Sequence, residues 1–208
     1  MSANTEFLKQ VTGNIAPALK RAGFRKRGNS FNRTVDDGLV HVIEYHMSPW
    51  GSGTFTVQVA VYVPGNFLED LAPVGGWVRD HQCLLMWGVA YLMPAARFRQ
   101  FDPTVEDAAE SEAAVLGPGL ARLDSYPNAH RILADYYSST LEAGLYQSLR
   151  PLHVGLIHLH LGETELAEEQ VAAHLATLGP HTPKAYVTRL RARLSDFGLS
   201  HLPFPNVS

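Results

Sequence analysis

The chain is 208 residues long, 46% apolar and 18% charged, a composition that excludes disorder and allows one large hydrophobic core or two small ones. A formal charge of -3 and a pI near 6.3 exclude a global attraction to phosphate polymers or anionic membranes, so neither nucleic acid nor membrane is an expected partner. One cysteine, Cys83, excludes an internal disulfide, and its neighbours Leu84, Leu85 and Met86 predict a buried thiol.

The first ten residues, MSANTEFLKQ, lack the basic and apolar regions of a signal peptide, and no apolar run is long enough to span a bilayer. A cytoplasmic setting is the expectation. From Glu6 to Ala22 the residues Phe7, Leu8, Val11, Ile15, Ala18, Leu19 and Ala22 recur at helical spacing. Pro17 predicts a kink or a restart near Asn14, and Gly23 a C-terminal stop.

Asn29 to Val35 reads as a first strand, turned by Asp36-Asp37-Gly38 into a second at Leu39 to Met47. Pro49, Gly51 and Gly53 end that strand, and Thr54 to Val63 forms a third, with Phe55, Val57, Val59, Val61 and Val63 on one face and Thr56, Gln58, Ala60 and Tyr62 on the other. Alternation this regular predicts an antiparallel sheet with one face on the core. Residues 64 to 82 read as an irregular connection wrapping the sheet edge. Cys83 to Leu92 is apolar throughout; period does not separate strand from buried helix there, and its shortness favours strand. A further strand at Arg97 to Phe101 completes a sheet of four or five.

Thr104 with Asp107 resembles a capping box opening a helix to about Leu116, which Gly117, Pro118 and Gly119 end or interrupt. Pro127 is expected at the first position of a second helix bearing Ile132, Leu133, Tyr136 and Tyr137, with Leu141 and Leu145 extending it. Pro151 starts a third helix that Gly162 ends, Glu163 and Glu165 suit the start of the next, and Thr182-Pro183 starts a last one that Gly198 stops. The predicted fold class is α+β: an N-terminal helix on a four- or five-stranded antiparallel sheet over 1–103, then a helical region of four or five helices over 104–208.

Leu19, Lys20, Gly23, Phe24, Lys26, Gly28, Phe31, Arg33, Phe55, Thr56 and Val57 resemble a bacterial family known only as a domain of unknown function. The likeness covers about the first 100 residues. It departs where the family suggests an Arg-Leu-Gly step and a tryptophan pair, since Trp87-Gly88-Val89 and Arg99-Gln100-Phe101 stand there instead. The resemblance implies a fold and a bacterial source, and no activity. HLGETELAEEQVAAHLATLGP, with Gly162, Ala167 and Leu175, is similar to the second helix of a tetratricopeptide repeat, implying one helical hairpin; a solenoid needs about three units.

Candidate chemistry is sparse. Arg21, Arg25, Lys26, Arg27 and Arg33 form a basic step that reads first as a solvated helix end and hairpin rim, where cations are favoured electrostatically, and otherwise as a contact for phosphate or an acidic partner. His153, His158 and His160 lack the spacing that would place two imidazoles over one ion, so no metal site is expected. Glu44 and His46 share a face of the second strand; if that face coincides with the one carrying Gln58 and Tyr62, a general base and a carboxylate meet on a polar surface. Phosphate loops, dinucleotide fingerprints and nucleophile elbows are absent. No cofactor is therefore expected.

Two functions remain open. One is a non-catalytic protein-binding module, an immunity or antitoxin-like role among the options, using Arg25, Lys26, Arg27, Arg33, Trp50, Gln58 and Tyr62 or the groove beside His153 to His174. The other is a small hydrolase using His46 and Glu44. An exposed sheet edge also leaves room for a homodimer.

Overall fold

A computed structural model describes residues 3–48, 53–65, 75–93, 100–140 and 150–204. Trp50, Leu141, Leu145 and most of the expected strand at 97–101 lie outside these residues. Two compact units are present, Met1–Val63 with Pro73–Gln147, and Pro64–Ala72 with Ser148–Ser208.

The first unit begins with α1 (Ala3–Arg21), which runs unbroken through Pro17. Its stripe residues Leu8, Val11, Ile15 and Leu19 are all buried, each stabilising the fold by roughly 1.5–3 kcal/mol. Gly23 at φ 87° closes the helix: its N–H donates to the Lys20 carbonyl and that of Phe24 to the Leu19 carbonyl, the two bonds of a Schellman stop.

Five antiparallel strands follow in sequence order, β1 (Arg25–Arg27), β2 (Ser30–Thr34), β3 (Val40–Met47), β4 (Phe55–Tyr62) and β5 (Leu85–Gly88). Residues 97–99 of the expected strand at 97–101 lie outside the described residues, and one strand of the five was not expected. It is supplied by β1, three consecutive cations folded onto β2 through Gly28 and Asn29, with Gly28 at φ 61°. A three-residue all-basic segment carries no hydrophobic alternation, so period gave no sign of it. Phe101 makes only an isolated bridge to Phe55.

The pairing Met47↔Phe55, Tyr45↔Val57, Ile43↔Val59 and His41↔Val61 puts these residues on one face. α1 packs there through Phe7 on Phe55, and Trp87 of β5, level with Val59, stacks on Tyr126 at 5.5 Å. The other face, with Val42, Glu44, Ala60 and Tyr62, is also buried. This departs from the expected solvated face. Of the expected connection at 64–82, residues 66–74 lie outside the described residues; the Arg79–Gln82 turn lies over β3 and β4, so polar residues of the second face are covered by polar residues of the turn.

Thr104 caps α2 (Val105–Ala114), accepting from the Asp107 N–H at 3.1 Å. Gly117, Pro118 and Gly119 fall in one wide turn, Val115–Gly119, after which α3 (Leu120–Asp124) continues. α4 (Ala129–Tyr137) starts two residues later than Pro127 predicts, because Asn128 is its cap, accepting from the Arg131 N–H at 3.0 Å.

The second unit contains α5 (Pro151–His160), α6 (Thr164–Ala176) and α7 (Lys184–Asp196). α5 and α6 form the expected helical hairpin, hinged at Gly162 (φ 78°). Their approach is set by Gly155, where an added Cβ would lie 2.7 Å from Val171 Cγ2 and 3.0 Å from the Ala167 carbonyl. Leu152, Val171, Leu175, Leu190, Leu194 and Leu199 form the core of this unit. No helix among the described residues is long and apolar enough to cross a membrane.

Candidate functional site

Period-two geometry puts Glu44 and His46 on one face of β3, and the register brings Gln58 opposite Glu44, Thr56 opposite His46 and Tyr62 opposite Val40. The two strand faces named in the sequence therefore coincide. Tyr62 is buried, and the Gln58 amide oxygen is buried without a partner. Two further buried groups on this face, the Ser30 hydroxyl opposite Glu44 and the Asn32 amide opposite Val42, also have none.

Glu44 and His46 are nevertheless not paired with each other. The His46 Nε2 to Glu44 Oε1 distance is 3.9 Å, beyond a hydrogen bond. Each takes its partner from the covering segment. Arg79 donates to Glu44 Oε1 through Nε at 2.6 Å and also through its terminal nitrogen, and the Asp80 N–H donates to Glu44 Oε2 at 3.1 Å. Asp80 Oδ2 lies 2.6 Å from His46 Nε2, while Asp80 Oδ1 accepts from the His81 N–H at 2.7 Å. The Gln82 side chain closes the turn by accepting from the Arg79 N–H at 2.7 Å.

Two carboxylates thus alternate with two basic side chains. The hydrogen bond from Asp80 raises the His46 pKa above the usual imidazole value against the opposing effect of burial. Burial alone would raise Asp80, but the His46 hydrogen bond and charge outweigh it and hold the carboxyl below its usual value. The Glu44 bond raises Arg79 further. Burial, with the charges of Asp80 and Glu44 adding to it, pushes the Cys83 thiol well up, and its sulfur contacts the Arg79 carbonyl at 3.4 Å. That thiol is no nucleophile at neutral pH.

One donor atom from each of Glu44, His46 and Asp80 falls within 4.8 Å of the others, a density seen in metal-ligand sets. Both oxygens of Glu44 are already engaged, however, and a cation would have to compete with the Arg79 guanidinium. The arrangement fits an ion-pair network that fastens the 79–82 turn to the sheet.

Arg25, Lys26 and Arg27 are exposed along the edge strand β1, with Lys26 Nζ 5.9 Å from the Phe31 ring centre. Arg33 parts from them. It lies opposite His41 on the core-side face, donates to the Ala22 carbonyl at 3.2 Å, pairs with Asp124, and sits 4.7 Å over Phe24. Its place in the strand puts it two steps from the exposed cations and on internal duty. His41, buried, accepts from Arg33 at Nδ1 (2.9 Å) and donates to the Tyr126 carbonyl through Nε2 (2.9 Å), and burial lowers its pKa to about 4.

The three histidines of α5 do not converge. His158 bonds Glu163 at 2.6 Å, whereas His153 Nδ1 accepts from the Arg150 N–H at 3.2 Å. What sequence reasoning missed is Arg79 and Asp80. Their only signal was a polar run, Arg79 to Gln82, set between Val78 and Cys83 in an otherwise irregular stretch.

No curated protein and no solved structure matches the chain. Residues 15–83, the span that carries α1 from its middle, β1 to β4 and all four members of the Glu44, His46, Arg79 and Asp80 network, match the family model described as Domain of unknown function (DUF4304).

Proposed function

We propose that this is a non-catalytic cytoplasmic binding protein that takes an extended acidic segment of a protein partner along β1. The observation carrying this reading is the edge itself. Arg25, Lys26 and Arg27 are exposed on the first strand of the sheet, and none of the ion pairs among the described residues involves them. Backbone groups on the outer side of an edge strand can pair with an added strand, and flanking cations select an acidic one. The burial of Glu44, with both its oxygens already hydrogen-bonded, supports the non-catalytic part, since such a carboxylate does not face a substrate.

The test is binding of a Glu-Val alternating heptapeptide, followed by fluorescence anisotropy at low and high salt and by amide shifts of the labelled protein. Saturable binding that shifts β1 amides, weakens with salt and disappears in the Arg25→Glu, Lys26→Glu, Arg27→Glu variant supports the reading. Equal binding by that variant, or no shift on β1, overturns it.

A second reading is favoured by the 2.6 Å contact between His46 and Asp80, with the imidazole side chain 38% exposed. A carboxylate-oriented imidazole open to solvent is the core of a general base. In this hydrolase reading Asp80, not Glu44, serves His46. Ester hydrolysis that His46→Asn abolishes without loss of melting temperature would support it; equal rates in both proteins would remove it.

A further inference from the structure

The second unit encloses a groove of about 900 Å³, a volume suited to a small organic molecule. Its walls come from the start of α5, the end of α6 with the turn that follows, and the first turn of α7. Leu178, Pro183 and Tyr186 give it an apolar lining.

The charged groups that line it all have one sign. Arg150 and Arg189 face the groove, and no carboxylate does so among the described residues. Neither arginine has an ion-pair partner among those residues. Burial, reinforced by Arg150, lowers both His153 (to about 4) and His174, and His174 Nε2 is hydrogen-bonded to the Tyr186 hydroxyl at 3.0 Å. The two guanidinium groups are the permanent charges of the lining. α5 and α7, 10 and 13 residues long, both begin at the groove, and no side chain caps α7. Positive helix ends and unpaired arginines add in the same direction.

The structure assigns this groove, we infer, as a binding site for a small organic anion: a carboxylate or phosphate monoester on an apolar body, with the anionic head at Arg150 and Arg189 and the body over Leu178, Pro183 and Tyr186. A guanidinium fork matches the planar or trigonal oxygens of such a head, and an apolar lining rewards a body that a bare inorganic ion lacks. The inference does not depend on β1 or on any protein partner.

The experiment is calorimetric titration of the full chain with phenyl phosphate, benzoate, benzyl alcohol and inorganic phosphate. Phenyl phosphate or benzoate is expected to bind at one site, benzyl alcohol and inorganic phosphate at least about tenfold more weakly, and Arg150→Gln and Arg189→Gln each to weaken the organic anion by roughly tenfold or more, the weight of a charge-assisted hydrogen bond. Which of the two anions binds better identifies the head group. Both arginines are exposed, so these variants keep the fold; Ala185→Glu, at an exposed position of the lining, puts a charge of the ligand's own sign into the groove and should abolish binding with the melting temperature retained. Failure of both organic anions to saturate, inorganic phosphate binding as tightly as phenyl phosphate, or indifference to both arginine changes would overturn the assignment.

Discussion

Replacing Arg79 by methionine tests whether the Glu44 network holds the covering turn to the sheet. The substitution keeps the aliphatic stem and removes the guanidinium. The Glu44 carboxylate, 1% exposed, would then retain only the Asp80 N–H at 3.1 Å. Removing one partner of a fully buried ion pair costs about 3–5 kcal/mol, because the remaining charge is left desolvated. The Arg79 side chain is 51% exposed, so water can approach from its side and the expected loss falls to about 2–3 kcal/mol. In a chain of this size that lowers the melting temperature by roughly 5–10 °C. Urea unfolding at pH 7, followed by circular dichroism, measures the loss directly. Adding Glu44→Gln to the Arg79→Met protein should recover at least about 1 kcal/mol, since the amide oxygen still accepts from Asp80 and no orphan charge remains. A loss below about 0.5 kcal/mol for Arg79→Met, or further destabilisation by the second change, would refute the reasoning.

Two other perturbations test separate parts of the fold. Gly155→Ala should destabilise the α5–α6 hairpin by about 1–3 kcal/mol despite the better helix propensity of alanine, because the new methyl meets Val171 Cγ2 at 2.7 Å; Val171→Ala in the same chain should return part of the loss in a thermal melt, and a Gly155→Ala protein more stable than its parent would contradict the packing. His41, with its pKa lowered from 6.5 to about 4 when folded, gives stability that is complete above about pH 6.5 and lost as the unfolded chain takes up the proton first, about 2 kcal/mol by pH 5 and about 3 kcal/mol by pH 4. Melts at pH 7 and pH 5 should therefore diverge less in His41→Gln than in the parent, and an unchanged difference would remove His41 as the cause.

What the sequence made legible was whatever is encoded locally. Helix α1 follows from its stripe, its stop from Gly23, the cap of α2 from Thr104, the start of α7 from the Thr182-Pro183 step, and β4 from strict alternation. Pro127 misled by two residues because Asn128 is the stronger N-cap, its side chain satisfying an amide that proline cannot. β1 escaped because a short edge strand is specified by its neighbour: Arg25 to Arg27 pair because Gly28 and Asn29 turn them onto β2, and charge on an edge suits solubility more than it signals extension.

The site illustrates the same limit at longer range. Side-chain period alone put Glu44 and His46 together, and the register then added Gln58, because both are properties of paired strands. Their charge partners come from residues 35 and 34 positions away, Arg79 for Glu44 and Asp80 for His46. Neither was readable, since 79 and 80 sit in a short turn with no periodicity to aim them. Had only β3 been considered, His46 and Glu44 would be a base and its carboxylate; with the turn in place each is bonded to a different residue of it, and 3.9 Å separates the two. A buried carboxylate on a sheet needs a cation somewhere, and that requirement was available from Glu44 alone once its face was known to be covered. The search for that cation would have led to Arg79, because the other nearby basic residues lie on β1, exposed at the edge, or, as Arg33 does, on the opposite face.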